Sequence, residues 1–311
     1  MRIVFMGTPE FAVPSLRVLL EHHYEIPAVV TAPDKPRGRG QQVGFSPVKS
    51  FALEQKLPVL QPEQLNDPSF VRHIAELKPD LIAVVAFRIL PKEVFIIPRF
   101  GSFNLHASLL PKYRGAAPIH WAIINGETET GVTTFFLQEK VDTGNMILQA
   151  RVRIDPDETA GELHDKLAAV GAEVVLQTVR LIELGKATPR PQDDRLATSA
   201  PKIFKNDCKI DWTRPTQQVH NFVRGLSPTP CSWTTHAEKQ LKIYRTARDT
   251  EQTHSGNAKP GEIVRAEKDQ LLVKTGDGVI AIREIQQEGR KRMGVEEFLR
   301  GYSLRAGDRF E

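Results

Sequence analysis

Only two cysteines occur in 311 residues, which excludes a small scaffold built on disulfides. Cys208 and Cys231 match neither a zinc spacing nor C-x-x-C, so they read as structural thiols. Long apolar runs are equally scarce. The longest beside a strand pattern, Leu81 to Phe87, falls well short of the roughly 20 residues that cross a bilayer, so no membrane association is expected. The opening Met1-Arg2-Ile3-Val4-Phe5-Met6-Gly7 meets Pro9 and Glu10 too soon for a signal peptide, and cytoplasmic residence is the expectation. Gly7-Thr8-Pro9 after the first strand lacks G-x-G-x-x-G, which argues against NAD. His22-His23 and His164 have no metal-site spacing, and there is no internal repeat.

What is present is an ordinary globular composition, 40% apolar and 26% charged, long enough for two domains. The charge is uneven along the chain. Residues 1–200 carry 22 basic and 23 acidic side chains, net −1, whereas residues 201–311 carry 20 and 15, net +5. A basic last third beside a neutral remainder is compatible with an anionic partner such as nucleic acid, and equally with a solvated surface.

The first half alternates apolar runs with amphipathic segments. Strands are predicted at Ile3–Met6, Ala28–Thr31, Leu81–Ala86 and Ser102–His106, and helices at Phe11–Glu21, Pro47–Gln55 and Pro68–Leu77. This β-α-β order predicts an α/β domain with a mostly parallel sheet, whose ligands bind at the carboxyl ends of strands. Strands at Val132–Leu137 and Met146–Ile154 precede a long helix at Ala160–Glu183 that stops at Gly185. The proline-punctuated segment from Thr188 has neither period and reads as a linker, giving domains at 1–189 and 207–311 joined by 190–206. A helix at Thr216–Leu226 and five short strands follow, with Gly276-Asp277-Gly278 turning between the last two. That pattern predicts a small β-barrel.

Asn104 and His106 lie two apart at a predicted strand end, so both side chains point to one face. Such a pair can hold a developing oxyanion and move a proton; satisfied polar groups at a strand end are the alternative. The stiff loop that follows, Ser108-Leu109-Leu110-Pro111, could hold a flat ligand through its backbone or merely secure the sheet edge. Asp142 sits in a predicted turn between two strands, either capping that turn or facing His106. The segment from Pro33 to Gln42 places Lys35, Arg37 and Arg39 among glycines and a proline, able to reach phosphate or simply solvated.

In this order the motifs resemble those of one family, the methionyl-tRNA formyltransferases, across nearly the whole chain. Phe5-Met6-Gly7-Thr8-Pro9, Asn104-Leu105-His106-Ala107-Ser108-Leu109-Leu110-Pro111, Arg114-Gly115-Ala116-Ala117-Pro118, Asp142-Thr143-Gly144, Ile210-Asp211-Trp212 and Val223-Arg224-Gly225-Leu226-Ser227-Pro228 carry the likeness. The resemblance implies a Rossmann-like formyltransferase domain and an OB-like carboxyl-terminal barrel that helps to hold tRNA. It implies 10-formyltetrahydrofolate as formyl donor, tetrahydrofolate as product and initiator methionyl-tRNA as acceptor. Neither a metal nor more than a monomer is required. By motif, Asn104, His106 and Asp142 become the catalytic residues, Ser108, Leu109, Leu110 and Pro111 the folate contacts, and Lys35, Arg37 and Arg39 the tRNA contacts, with Arg39 the leading wedge. One departure is Ala86-Phe87-Arg88-Ile89-Leu90-Pro91, where the family commonly has Ala-Tyr-Gly before Leu-Pro.

The implied mechanism has the methionyl α-amine attack the formyl carbon while Asn104 and His106 hold the oxyanion and Asp142 orients His106. The rival expectations are formyl transfer to an amino sugar nucleotide, where the catalytic string is shared, and a non-catalytic tRNA-binding protein, for which the coincidence of these residues is unneeded.

Overall fold

The computed structural model describes residues 1–37, 42–248 and 257–311. In chain order its first elements are β1 (Ile3–Gly7), α1 (Val13–Glu21), β2 (Val29–Val30), β3 (Lys35–Arg37), β4 (Gln42–Gly44), α2 (Pro47–Glu54), β5 (Val59–Leu60) and α3 (Pro68–Glu76). Next come β6 (Leu81–Val85), α4 (Lys92–Phe95), β7 (Ser102–His106), α5 (Pro118–Ile124), β8 (Glu129–Phe136), β9 (Met146–Arg153) and α6 (Ala160–Glu183). The remainder is α7 (Thr216–Leu226), β10 (Ser232–His236), β11 (Lys239–Arg248), β12 (Ile263–Glu267), β13 (Gln270–Lys274), β14 (Val279–Gln287), β15 (Met293–Gly294) and α8 (Val295–Gly301).

Seven strands form one sheet in the order β5-β2-β1-β6-β7-β8-β9. The strands from β5 to β7 pair in parallel, and β8 runs antiparallel to β7. Every residue of β1 and β6 is buried, as expected of strands covered on both faces. On one face Val4, Met6, Val30, Ile82 and Val84 pack with Phe70, Ile74 and Val94 from α3 and α4. On the other, α6 approaches β7 so closely that a Cβ on Gly171 would lie 2.7 Å from Leu105 Cδ2. The helix starts are read from side chains. The Ser46 hydroxyl accepts from Lys49 N–H at 3.1 Å and the Asp67 carboxylate from Ser69 N–H at 2.7 Å, each with a proline at the next position. Strand order reverses between β1 and β6, so the carboxyl ends of β1, β6 and β7 are where a site is expected.

The chain divides into two compact units, one of residues 1–115, 130–152 and 164–200, the other of 116–129, 153–163 and 201–311. The expected linker is shared out, 190–200 to the first unit and 201–206 to the second. In the second unit the strands run β10-β11-β14-β13-β12, with β15 beside β14. The five predicted strands are all present. The space between β12 and β10 is bridged by residues 307–311: Ile263 N–H donates to Asp308 O at 2.7 Å, Phe310 N–H to Gly261 O at 2.8 Å, and Thr235 and Glu311 exchange two bonds at 3.0 Å. Inside are Leu241, Ile243, Ile280, Ile282, Trp212, Phe298 and Phe310.

This unit also explains Val223-Arg224-Gly225. Arg224 is 6% exposed and donates to Asn221 Oδ1 and to the carbonyls of Asp155 and Glu158, which draws the segment 153–163 onto α7. Gly225 leaves room for α5, since a Cβ there would lie 2.7 Å from Ile124 Cγ1.

Candidate active site

Alternation along β7 turns Phe103 and Leu105 to the α6 face and Asn104 and His106 to the opposite one. Asn104 lies beside Val84 of β6 and Phe135 of β8, and His106 beside Thr133. The half-buried Asn104 amide makes no hydrogen bond within the protein among the described residues. An amide donor so placed at a strand end is available to a ligand.

His106 is 6% exposed, and its Nε2 lies 2.8 Å from the main-chain oxygen of Tyr113. A carbonyl only accepts, so Nε2 carries the hydrogen and donates it. Nδ1 is then the edge that can take up or hand on a proton. It faces Asp142 Oδ2 at 3.8 Å, beyond hydrogen-bonding distance. The Tyr113 carbonyl thus holds one edge of the ring, and the Asp142 carboxylate faces the other. Asp142 is anchored by Gly115, whose N–H donates to Oδ2 at 2.9 Å.

Asp142 stands in the turn between β8 and β9 with φ +55°, a left-handed conformation that aspartate tolerates better than most residues. Two residues on, Gly144 lies so close to β8 that a Cβ would fall 1.6 Å from Phe136 O. Only glycine fits there, which accounts for Asp-Thr-Gly as a unit.

The loop after β7 is rigidly bonded. Ser108 Oγ donates to Lys112 O at 2.6 Å, Leu110 N–H to Thr133 Oγ1 at 3.1 Å, Thr133 Oγ1 to Ser108 O at 2.6 Å, and Gln149 Nε2 to Leu110 O at 2.9 Å. Ser108 and Leu110 are buried, so Leu109 and Pro111, each half-buried, are the members of the predicted folate set that keep side-chain surface. Tyr113 and Arg114 bond in turn to Thr198 at 2.9 Å each, and Ala200 N–H to Arg114 O at 2.7 Å. Gly115, at φ +126°, would put a Cβ 2.7 Å from Ala200 O.

The departure at Ala86-Phe87-Arg88 has a structural use. The Arg88 guanidinium donates to Pro62 O at 2.7 Å and Glu63 O at 2.9 Å, tying the end of β6 to the loop between β5 and α3. An open depression of about 690 Å³ beside that loop is lined by Gln61, Glu63, Asp67, Phe70 and His73, and by none of the predicted site residues.

Of the expected tRNA contacts, Lys35 and Arg37 fall in β3, which pairs antiparallel with β4 in a two-stranded ribbon, and Arg39 lies outside the described residues. Asp34 at the base of the ribbon is ion-paired to Lys49 and accepts from Gln61 Nε2 at 2.9 Å. The Lys49 bond holds its carboxyl below the usual range. No group of three or more His, Cys, Asp or Glu that could hold a metal occurs among the described residues, and no helix there is long and apolar enough to cross a membrane.

The structure thus brings Asn104, His106, Asp142 and the loop 108–111 to one end of the sheet. Sequence reasoning missed Thr133 and Gln149 and gave Tyr113 and Gly115 no role of their own, because all four act through bonds that involve main-chain groups or a shared hydroxyl, whose partners the residue order does not show.

Comparison with known proteins bears on this geometry. The family model described as formyl transferase matches residues 1–179, and the model for the formyl transferase C-terminal domain matches 202–303. The methionyl-tRNA formyltransferase of Caldanaerobacter subterraneus subsp. tengcongensis is 50% identical over 309 residues, 99% of either chain. That of Acetivibrio thermocellus is 48% identical, again over 99% of either. Among solved structures, the sugar 3N-formyl transferase WlaRD, determined in the presence of dTDP and 5-N-formyl-THF, has a similar fold, with TM-score 0.68 at 21% identity over 94% of this chain and 99% of that one.

Proposed function

The chain belongs to the methionyl-tRNA formyltransferase family and formylates methionyl-tRNA, and from that premise we propose the donor, the acceptor and the residues that carry the transfer. The donor is 10-formyltetrahydrofolate and the acceptor is initiator methionyl-tRNA. The relatedness of the fold to a sugar formyltransferase crystallised with a formylated folate supports the donor class.

The observation that carries the residue assignment is the free Asn104 amide two residues from a His106 ring whose Nδ1 edge faces Asp142. The methionyl α-amine, neutral and nucleophilic, attacks the formyl carbon. As the new C–N bond forms, negative charge grows on the formyl oxygen, and the Asn104 amide donates to it. The amine gives up a proton towards the Nδ1 edge of His106 and Asp142 Oδ2; that proton is returned to N10 as the bond from the formyl carbon to N10 breaks. Tyr113 keeps the ring in the tautomer this route needs. The loop 108–111 would hold the folate through Leu109, Pro111 and its backbone; no metal takes part. Lys35, Arg37 and Arg39 would contact the acceptor end of the tRNA, and the second unit, whose residues 201–311 carry net +5, would share its phosphates. We place the enzyme in the cytoplasm as a monomer.

The test offers purified protein 10-formyltetrahydrofolate with methionyl-initiator tRNA, methionyl-elongator tRNA or an amino sugar nucleotide, and follows formylated product by mass. Transfer to the initiator species alone is expected; transfer to the sugar nucleotide would overturn the acceptor. Asn104→Ala should lower turnover about 100- to 1,000-fold in a folded protein. Near-normal turnover would remove Asn104 from the mechanism.

A further inference from the structure

Gln192 lies in a segment with no periodicity, between Pro191 and Asp193, yet its side chain uses its full hydrogen-bonding capacity at the site. Nε2 donates to Asp142 O and to Gly144 O, both at 2.9 Å. Oε1 accepts from Arg114 Nε at 3.1 Å and Nη2 at 2.7 Å, and the same Nη2 reaches Asp194 Oδ1 at 2.7 Å. The two carbonyls bracket Thr143, so one amide clamps the whole turn that carries Asp142. Arg114 stands between Tyr113, which orients His106, and Gly115, which anchors the Asp142 carboxylate.

We propose that Gln192 is a positioning residue for formyl transfer: joined to Arg114, it fixes the turn 142–144 against the loop 113–115 and so sets the placement of Asp142 relative to the His106 ring. This rests on the reading of Asp142 as catalytic. Asp142 is left-handed at φ +55°, and its turn is pressed onto β8 through Gly144. Such a turn holds its shape only where its surroundings hold it. The segment 190–200 supplies that hold at three further points: Arg190 pairs with Met146 through two bonds of 2.8 Å, and Thr198 and Ala200 bond to residues 113 and 114. Among these residues Gln192 alone grips the carbonyls of the turn itself, so its removal should be felt in the chemical step before it is felt in binding.

The test compares Gln192→Met, which keeps side-chain length but neither donates nor accepts comparably, and Gln192→Glu, which keeps the acceptors for Arg114 but presents oxygen to the two carbonyls. Both are made in the parent and in Asp142→Asn, with kcat and KM measured for 10-formyltetrahydrofolate and methionyl-tRNA and folding checked by thermal unfolding. In the parent, either substitution should lower kcat about 10- to 100-fold with both KM values within about twofold, the scale expected for misplacement of a reacting group. In Asp142→Asn the same substitutions should lower kcat by less than about twofold, because a residue acting through Asp142 has nothing left to position. An unchanged kcat in a folded parent variant, or an equal loss in both backgrounds, overturns the proposal while leaving Asp142 in place. An Asp142→Asn enzyme of near-normal kcat overturns the reading of Asp142 itself and the role of Gln192 with it. Should one of the two variants fail to fold, the other decides by the same criteria.

Discussion

His106 and Tyr113 are joined by a single bond, Nε2 to main-chain oxygen at 2.8 Å, that determines which edge of the imidazole is free. The strand carries the ring to the end of the sheet, but the returning loop chooses its tautomer.

That relationship predicts the protonation pattern of the neutral ring. Nitrogen NMR of the labelled protein should show His106 with hydrogen on Nε2 and a bare Nδ1. A neutral ring bearing its hydrogen on Nδ1 would contradict the proton route through Asp142.

Gly144→Ala should damage both fold and activity. The added methyl would sit 1.6 Å from Phe136 O, and neither β8 nor the turn can yield without breaking the Phe136–Asn145 pairing. A loss of about 1–3 kcal/mol is expected from urea unfolding, with turnover falling further than stability because Asp142 moves with the turn. Wild-type turnover in this variant would show that the placement of Asp142 is not critical.

Much of this site was legible in the order of residues, and the part that was not has a physical explanation. Asn104 and His106 were placed by a period of two that any buried strand obeys, and β7 runs over the predicted residues. The helices α6 and α7 also begin and end where their apolar spacing and stops put them. Asp142 was readable as a turn residue, but its distance from His106 depends on pairing between β7 and β8, which local pattern cannot specify. Gln192 was invisible because Pro189 and Pro191 make its neighbourhood look like a connection. Its partners are 48 and 50 residues away on main-chain carbonyls, which have no sequence identity to read. Short elements such as β5, α4 and α8 likewise lie below the length at which periodicity is distinguishable from chance.

Cys231 offers a stability prediction with a definite sign. Burial pushes its thiol up from 9.0 to about 11, so the folded state keeps a proton that the unfolded chain releases. The contribution is fully present below pH 9 and is lost as pH rises from 9 through about 11, amounting at most to about 2–3 kcal/mol. Urea unfolding across that range should show the decline, and a folded Cys231→Ala protein should show a shallower one. Cys208 and Cys231, both free and buried, should also resist a disulfide-exchange reagent at neutral pH until the protein is denatured. Identical pH slopes in parent and variant would mean the thiol does not govern alkaline stability.

The basic segment makes the last prediction, because the role proposed for it is electrostatic and would therefore have a salt signature. Asp34, held by Lys49 and Gln61, stands next to β3, and the sequence around it carries Lys35, Arg37 and Arg39. Replacing Arg37 and Arg39 together by alanine should lower kcat/KM for methionyl-tRNA while leaving the KM for 10-formyltetrahydrofolate unchanged. If each arginine neutralises a phosphate, the slope of log kcat/KM against log salt should become shallower by roughly 0.7–0.9 for every phosphate that is no longer neutralised. Lys49→Met should reproduce part of the fall in kcat/KM without removing a cation from the segment, since it frees Asp34 next to β3. A double variant with unchanged tRNA kinetics and an unchanged salt slope would remove the segment from tRNA recognition and leave the basic surface of residues 201–311 as the alternative partner for the phosphates.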